Sequence, residues 1–333
     1  MRKHVFWTLF PFFGMVILIL DTKTALSGAA EGIALCLQTV IPSLFPFLVL
    51  STMAASVLSG QMSAWLRPLG RLLRIPRGSE LLLLIGLLGG YPTGATVLAN
   101  AYREHRLSQQ NCSRMLAFTS NAGPAFIFGF GADLFPDARF CWYLWGIHIL
   151  SAWIVGILTV GGEEGTFSPS EGQGRSLSAC MPAVAKTMAI ICCWIVLFRV
   201  LLAFCHRWFL WRLPLWASTL LQGMAELSNG SVALYQIPDL NLRFLLFSLM
   251  LGFGGLCVTM QTFAVCSRFD VRRYLPGKVT QAIISVLICL MMIRRELLSI
   301  LTFGTILLMV CGGYYFLSKP RIRTGFPVGS AVQ

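Results

Sequence analysis

Apolar runs separated by short polar loops recur along the whole chain, near residues 5–20, 29–58, 79–102, 112–132, 140–160, 180–204, 214–234, 242–266, 279–293 and 297–317. Runs of this length predict an all-α polytopic transmembrane helix bundle with about ten apolar segments. Several runs do not read as continuous helices. Gly89-Gly90-Tyr91-Pro92-Thr93-Gly94-Ala95 interrupts the run that begins at Leu81, Asn121-Ala122-Gly123-Pro124 the next, and Gly252-Phe253-Gly254-Gly255 a later one, while Pro42 and Pro46 stand four apart in the second. In hydrocarbon every backbone N–H and C=O has to be satisfied within the protein, so such breaks survive only where they are packed in protein or line a wet cavity. Transporters use them to aim helix ends and freed carbonyls at a solute. The plainer reading of Asn121 to Pro124 is a proline kink whose freed carbonyls are bonded by Thr119, Ser120 or Asn121.

Composition narrows the class. With 56% hydrophobic and 12% charged residues in 333, the chain has more apolar surface than a soluble domain of this length buries. The net charge of +13 would suggest nucleic acid in a soluble protein. Here the basic residues sit mostly in short loops and no nucleic-acid module accompanies them, so nucleic acid is excluded as a partner. The eleven cysteines form no CxxC pair and fall mainly in apolar runs, and the four histidines are dispersed. No disulfide framework, metal site or other cofactor is expected. The start, Arg2-Lys3-His4 followed by an apolar stretch, resembles a signal peptide with Ala25-Leu26-Ser27 as its cleavage site; we read it as an uncleaved first span.

Charge also sets sidedness. With Arg2 and Lys3 inside, the loop 60–78 (Arg67, Arg71, Arg74, Arg77) is expected to be cytoplasmic, as are His206, Arg207 and Arg212, then Arg268, Arg272, Arg273 and Lys278, and the tail with Lys319, Arg321 and Arg323. The linker 161–178, acidic on balance through Glu163, Glu164 and Glu171 against Arg175, is expected outside. Arg103, Arg106 and Arg114 fall outside if 79–102 and 112–132 both cross, and inside if both are re-entrant hairpins; the latter is favoured. Arg294-Arg295-Glu296 has no comparable remedy. Residues 62–76 read as an interfacial amphipathic helix with Arg67, Arg71 and Arg74 on one stripe, bent at Pro68, whose simplest role is to anchor the hairpin that follows.

An order of long helix, connector and glycine-paired run at 31–90 recurs at 180–255, which suggests two related halves. The expected organisation is an N-terminal span and external loop (1–28), a first gate-like repeat (29–160), an acidic external linker (161–178), a second gate-like repeat (179–318) and a basic cytoplasmic tail (319–333). Halves of this kind form a site between them near the bilayer midplane. Within the second, Glu226-Leu227-Ser228-Asn229-Gly230-Ser231 sets a carboxylate in an apolar stretch, where it is either functional or, at an interface, solvated. Lys186 and Arg199 lie on the sixth run; Lys186 can snorkel, and Arg199 can snorkel or pair with Glu226. Glu31 reads as a first-turn carboxylate of the second helix. HExxH, GxSxG and Walker patterns are missing, as are paired intramembrane aspartates, so no enzyme is expected.

Five segments together, Ile41-Pro42-Ser43-Leu44-Phe45-Pro46-Phe47, Gly90-Tyr91-Pro92-Thr93-Gly94-Ala95, Asn121-Ala122-Gly123-Pro124, Glu226-Leu227-Ser228-Asn229-Gly230 and Gly254-Gly255-Leu256-Cys257-Val258-Thr259-Met260-Gln261, resemble the family of the sporulation integral membrane protein YlbJ. The resemblance covers roughly 29–317. It implies a place in the wider group carrying the nucleoside recognition or gate domain, also found in the ferrous iron transporter B and in spore maturation proteins. Gly89 and Cys257 stand where that pattern would have serines. The label specifies no substrate. The resemblance implies a multi-pass inner-membrane protein of endospore formation, at the cortex or envelope stage, with membrane lipid around it and an unidentified small solute in a central site. The rival reading is a non-transporting scaffold for spore-envelope assembly; a homo-oligomer or other sporulation membrane proteins remain open as partners. The candidate solute contacts are Pro42, Ser43, Pro46, Tyr91, Pro92, Thr93, Gly94, Asn121, Gly123, Pro124, Glu226, Asn229, Gly254, Gly255 and Gln261.

Overall fold

The computed structural model describes residues 2–57, 60–159, 161–162, 167, 176–294 and 297–318. Helices α1 (Arg2–Leu20) and α2 (Thr22–Leu35) meet at Asp21, whose carboxylate accepts from the Thr24 backbone N–H. A π-helical stretch, Cys36–Val40, leads straight into α3 (Ile41–Val57). Then follow α4 (Gly60–Leu72), α5 (Glu80–Gly89), α6 (Thr93–Arg103), α7 (Gln109–Thr119), α8 (Pro124–Leu134), α9 (Arg139–Leu158) and α10 (Leu177–Trp208). The rest of the chain forms α11 (Leu215–Ala225), α12 (Leu227–Ala233), α13 (Leu240–Phe253), α14 (Leu256–Val265), α15 (Tyr274–Arg294) and α16 (Leu297–Ser318).

Among the described residues five stretches are helical, long and apolar enough to cross a membrane: Thr22–Leu50, Arg139–Leu158, Leu177–Trp208, Leu240–Val265 and Tyr274–Arg294. The chain is thus a helical membrane bundle, and the count of ten spanning segments does not hold. The reason lies in the breaks. A helix of ten or eleven residues is about 15 Å long, half the hydrocarbon thickness, and the runs 79–102, 112–132 and 214–234 are each split into two pieces of that order or shorter.

The split runs behave in two ways. Helices α5 and α6 fold back on each other, as do α11 and α12, giving two hairpins. Helices α7 and α8, expected as a third hairpin, instead run on across the bundle. From the middle of α7 the Arg114 guanidinium donates to the carbonyls of Thr159 and Arg74, each at 2.8 Å, and to those of Leu73 and Gly156. At the far end of α8 the Leu134 carbonyl accepts from Arg243 at 2.6 Å.

This crossing places the loops. Arg77 O accepts from Phe167 N at 2.7 Å, Gln110 donates to Gly161 O at 3.2 Å, and the Arg106 guanidinium lies 4.3 Å from the centre of the Phe167 ring. Ser108, Gln109 and Ser113 share a groove with Asp270 and Arg273, and Thr159 bonds Tyr314 at 3.0 Å. Residues 103–114 therefore stand at the same end as 67–80, as expected. So do Gly161, Gly162 and Phe167, which overturns the placing of the linker opposite that loop: α9 returns the chain because α8 has already carried it across. Arg207, expected with the basic loops, meets Asp21 at 3.1 Å where α2 begins, at the other end. Lys278, expected in a loop cluster, is fully buried inside α15. Glu163, Glu164, Glu171, Arg175, Arg295, Glu296 and the tail 319–333 lie outside the described residues.

Smaller expectations resolve similarly. Arg67 bonds the buried Glu80 at 2.7 Å, and Glu80 also accepts from Gly78 N at 2.7 Å, so α4 anchors the head of the first hairpin. Glu31 sits inside α2 rather than in its first turn, because that helix starts at Thr22, and it pairs with Arg199. Lys186 is exposed. Ala25 to Ser27 lie within α2, and Gly28 beside them is buried against Ala203 of α10.

Candidate functional site

Each break has a local cause. Helix α5 ends at Gly90, whose φ of 71° and ψ of −170° suit a residue without Cβ, and Pro92 cannot donate to continue the helix. Helix α7 ends where Ser120 turns extended, and Pro124 opens α8 at a position where the missing N–H costs nothing. Between α11 and α12 Glu226 is extended, and its carboxylate accepts from Ser228 N (3.1 Å), Asn229 N (2.7 Å) and Asn229 Nδ2 (2.8 Å). The α13–α14 break is the pair Gly254 and Gly255, both with positive φ.

The four breaks meet. A methyl carbon placed on Gly90 would lie 2.8 Å from Gly123 N, and one on Gly254 2.6 Å from the Tyr91 hydroxyl. One on Gly255 would lie 3.3 Å from Leu227 N. Hairpin tips and helix breaks are thus in close contact, through backbone at Gly90–Gly123 and Gly255–Leu227 and through the Tyr91 ring at Gly254.

At their junction is a cavity of about 50 Å³, room for a few waters. Its polar lining comes from Glu226, Ser228, Gln261, Tyr91 and the backbone of Gly90 and Gly123; Leu44, Phe47, Leu48, Phe126, Ile191, Ile195 and Val258 form the apolar wall. Of the expected contacts, Tyr91, Gly123, Glu226 and Gln261 line it. The others do not. Pro42 and Pro46 are exposed on the opposite side of α3, and Ser43 donates back to Thr39 O at 2.7 Å. Thr93 donates to Gly89 O at 3.2 Å, Gly94 packs on the Thr119 carbonyl, and Pro92 and Pro124 shape the turns. Asn229 serves Glu226, while Gly254 and Gly255 hold the packing. Arg199 is paired with Glu31 and so takes neither of the two roles the sequence left open to it, while the Glu226 carboxylate is bonded within its own hairpin tip.

Asn121 belongs to a second polar cluster. Its Oδ1 accepts from Lys278 Nζ at 3.0 Å and from Gln281 Nε2 at 3.0 Å, and Gln281 Oε1 accepts from Lys278 at 2.8 Å. Ala122 N donates to His148 Nε2 at 3.0 Å, and Ser285 donates to Ser151 at 2.9 Å. Lys278 also lies 5.3 Å from the centre of the Tyr91 ring. Sequence reasoning missed Lys278, Gln281 and His148. The signal was present: Lys278, Gln281 and Ser285 fall at i, i+3 and i+7, a polar stripe on an apolar helix, and His148 and Ser151 at i and i+3 face it from α9. Among the described residues no three His, Cys, Asp or Glu side chains are grouped to hold a metal ion.

Comparison with known proteins finds the sporulation integral membrane protein YlbJ of Bacillus subtilis (strain 168), 25% identical over 304 residues that span 75% of this chain and 72% of the relative. No protein-family model and no solved structure matches. The similarity extends over most of both proteins and agrees with the resemblance that the motifs carried: the chain is a multi-pass helical membrane protein similar to YlbJ.

Proposed function

We propose that the chain acts in endospore formation, as the relative's name states for YlbJ, and that it moves a small solute through the junction of its four helix breaks. The convergence of two hairpin tips and two broken helices on a cavity holding Glu226 carries this reading. The order of elements supports it. Spanning helix α3, hairpin α5–α6, broken helix α7–α8 and spanning helix α9 are followed by spanning helix α10, hairpin α11–α12, broken helix α13–α14 and spanning helix α15. The first hairpin enters from the end bearing Arg74 and Arg77, the second from the end bearing Arg243. Such an order is that of two halves with inverted topology, the arrangement in which a central site is reached from either side in turn. Positive-inside sorting makes the end with Arg71, Arg74, Arg77, Arg103, Arg268 and Arg272 cytoplasmic.

A second reading, a scaffold for spore-envelope assembly, is favoured by one observation: all three hydrogen bonds to the Glu226 carboxylate come from its own hairpin tip. Glu226→Gln separates the two. It keeps the shape and one acceptor oxygen but removes the charge. In a deletion strain complemented with the variant, the transporter reading expects normal accumulation and loss of heat-resistant spores. Normal sporulation would leave Glu226 as a helix cap and favour the scaffold. Adding Arg199→Gln should rescue nothing, since Arg199 pairs elsewhere.

A further inference from the structure

Lys278 is the largest unexplained cost in the molecule. It is 0% exposed in the middle of the bundle, and among the described residues its partners are two amide oxygens and two aromatic rings, with no carboxylate. A buried ammonium without a counter-charge is retained only where it does something. The surrounding groups do not offset it. On α9, His148 accepts from Ala122 N through Nε2 and so is not doubly protonated. On α7, the Cys112 thiol donates to Leu98 O at 3.7 Å, and Arg114 is bonded to carbonyls toward the basic end. Helix α13 brings only Arg243, held at the far end, and α16 brings Cys311, Tyr314 and Tyr315. Tyr274 on α15 and Tyr91 of the hairpin tip offer ring faces.

The two amides are oriented for a cation. Asn121 Nδ2 donates to Phe118 O at 2.6 Å, which turns Oδ1 toward Lys278. Gln281 Nε2 donates to Asn121 Oδ1 and to His148 O, which turns Oε1 the same way. Two amide oxygens turned to one point, beside a helix break and behind a wall of the cavity, are ligands that a monovalent cation such as sodium would use once the ammonium is gone.

We propose that the Lys278 ammonium is a tethered occupant of a monovalent-cation site, so that the solute cycle is coupled to protons and needs no sodium. The step is one of acid and base only: when the hairpin tip carrying Tyr91 moves aside and water enters, an Nζ–H bond breaks, the proton leaves to that water, and the neutral amine stays. Loss of the charge removes one of the two donors to Asn121 Oδ1, leaving Gln281 as the other, and so loosens the α7–α8 break. This deepens the transporter reading and rests on it.

The test uses the purified full-length protein in detergent, with unfolding midpoints measured in matched NaCl and choline chloride. The wild type should show no difference between the salts. Lys278→Ala vacates the site, so its midpoint should fall and be raised selectively by NaCl. Asn121→Asp gives the ammonium a fixed counter-charge; it should accumulate, unfold no earlier than wild type, and fail to support heat-resistant spores. A sodium-dependent wild-type midpoint, a Lys278→Ala midpoint indifferent to sodium, or normal sporulation with Asn121→Asp would overturn the proposal. If Lys278→Ala does not accumulate, the wild-type comparison and Asn121→Asp decide. A working Asn121→Asp beside a defective Glu226→Gln sinks the lysine proposal alone, whereas normal sporulation in both removes the transporter reading as well.

Discussion

Replacing Gly90 by alanine tests whether the hairpin tip and the α7–α8 break are truly in backbone contact. Gly90 has φ 71° and ψ −170°, a region that costs a residue with Cβ about 1–3 kcal/mol. The added methyl would meet Gly123 N at 2.8 Å and Gly123 Cα at 3.1 Å. Backbone cannot rotate away as a side chain can, so relief requires a shift of one break against the other, about another 1–3 kcal/mol. The sum is roughly 2–6 kcal/mol. With an unfolding entropy of about 2.1 cal/mol/K per residue, the whole chain loses about 1.4 °C per kcal/mol, so the midpoint should drop by roughly 3–8 °C. Gly123→Ala has an ordinary φ of −77° and should bear only the contact part, about 1–3 kcal/mol. Gly146 is helical with nothing within 4 Å of a new methyl, and Gly146→Ala should be neutral or stabilising by about 0.5–1 kcal/mol. Thermal unfolding of the detergent-purified variants, followed by fluorescence-detected size exclusion, gives the order directly. A Gly90→Ala midpoint equal to that of Gly146→Ala would refute the contact and the convergence built on it.

Arg114→Met should lower stability by about 3–5 kcal/mol, because it strands buried carbonyls of Leu73, Arg74, Gly156 and Thr159 at the junction of three elements; Arg114→Lys, which keeps the charge but not the fork, should recover only part of that in the same assay. Cysteines placed at Gln109 and Asp137, in a background without reactive native cysteines, should differ in intact cells: an impermeant reagent should label position 137 and spare 109. Labelling of 109 from outside would reverse the assigned orientation, and labelling of both would contradict the crossing of α7–α8.

The helical class was plain from the apolar runs, and the breaks from Gly90, Pro92, Gly123, Pro124, Gly254 and Gly255, because glycine and proline act on the backbone locally. What the sequence could not separate was a hairpin from a broken crossing. Both begin with a short apolar helix and a break, and the difference is whether the second piece packs on the first or passes it. Helix α6 packs on α5, whereas α8 packs on α3 and α9. The positive-inside count placed 103–114 correctly but misassigned single charges for a related reason. Arg114 and Lys278 were read as loop charges because they adjoin loops in sequence, yet Arg114 is spent on carbonyls and Lys278 on amides one turn or more inside the bundle. The site was legible to the extent that it is made of backbone: Tyr91, Gly123 and Glu226 mark breaks. Its apolar wall was not, since Phe47 and Ile191 differ from other apolar residues only in which way the helix turns them.

Tyr91 ties the two polar regions into one device. Its backbone and ring line the cavity that holds Glu226, its ring lies beside the Lys278 ammonium, and its hydroxyl, buried without a partner, points at Gly254 where a Cβ would not fit. A displacement of the first hairpin tip large enough to open the cavity therefore also strips an aromatic face from the lysine and frees the α13–α14 break. A buried O–H at such a crossing carries a desolvation cost that an apolar ring of the same size would not. Tyr91→Phe should therefore fold at least as stably as the wild type, and a sporulation defect in that variant would assign the hydroxyl a role beyond packing.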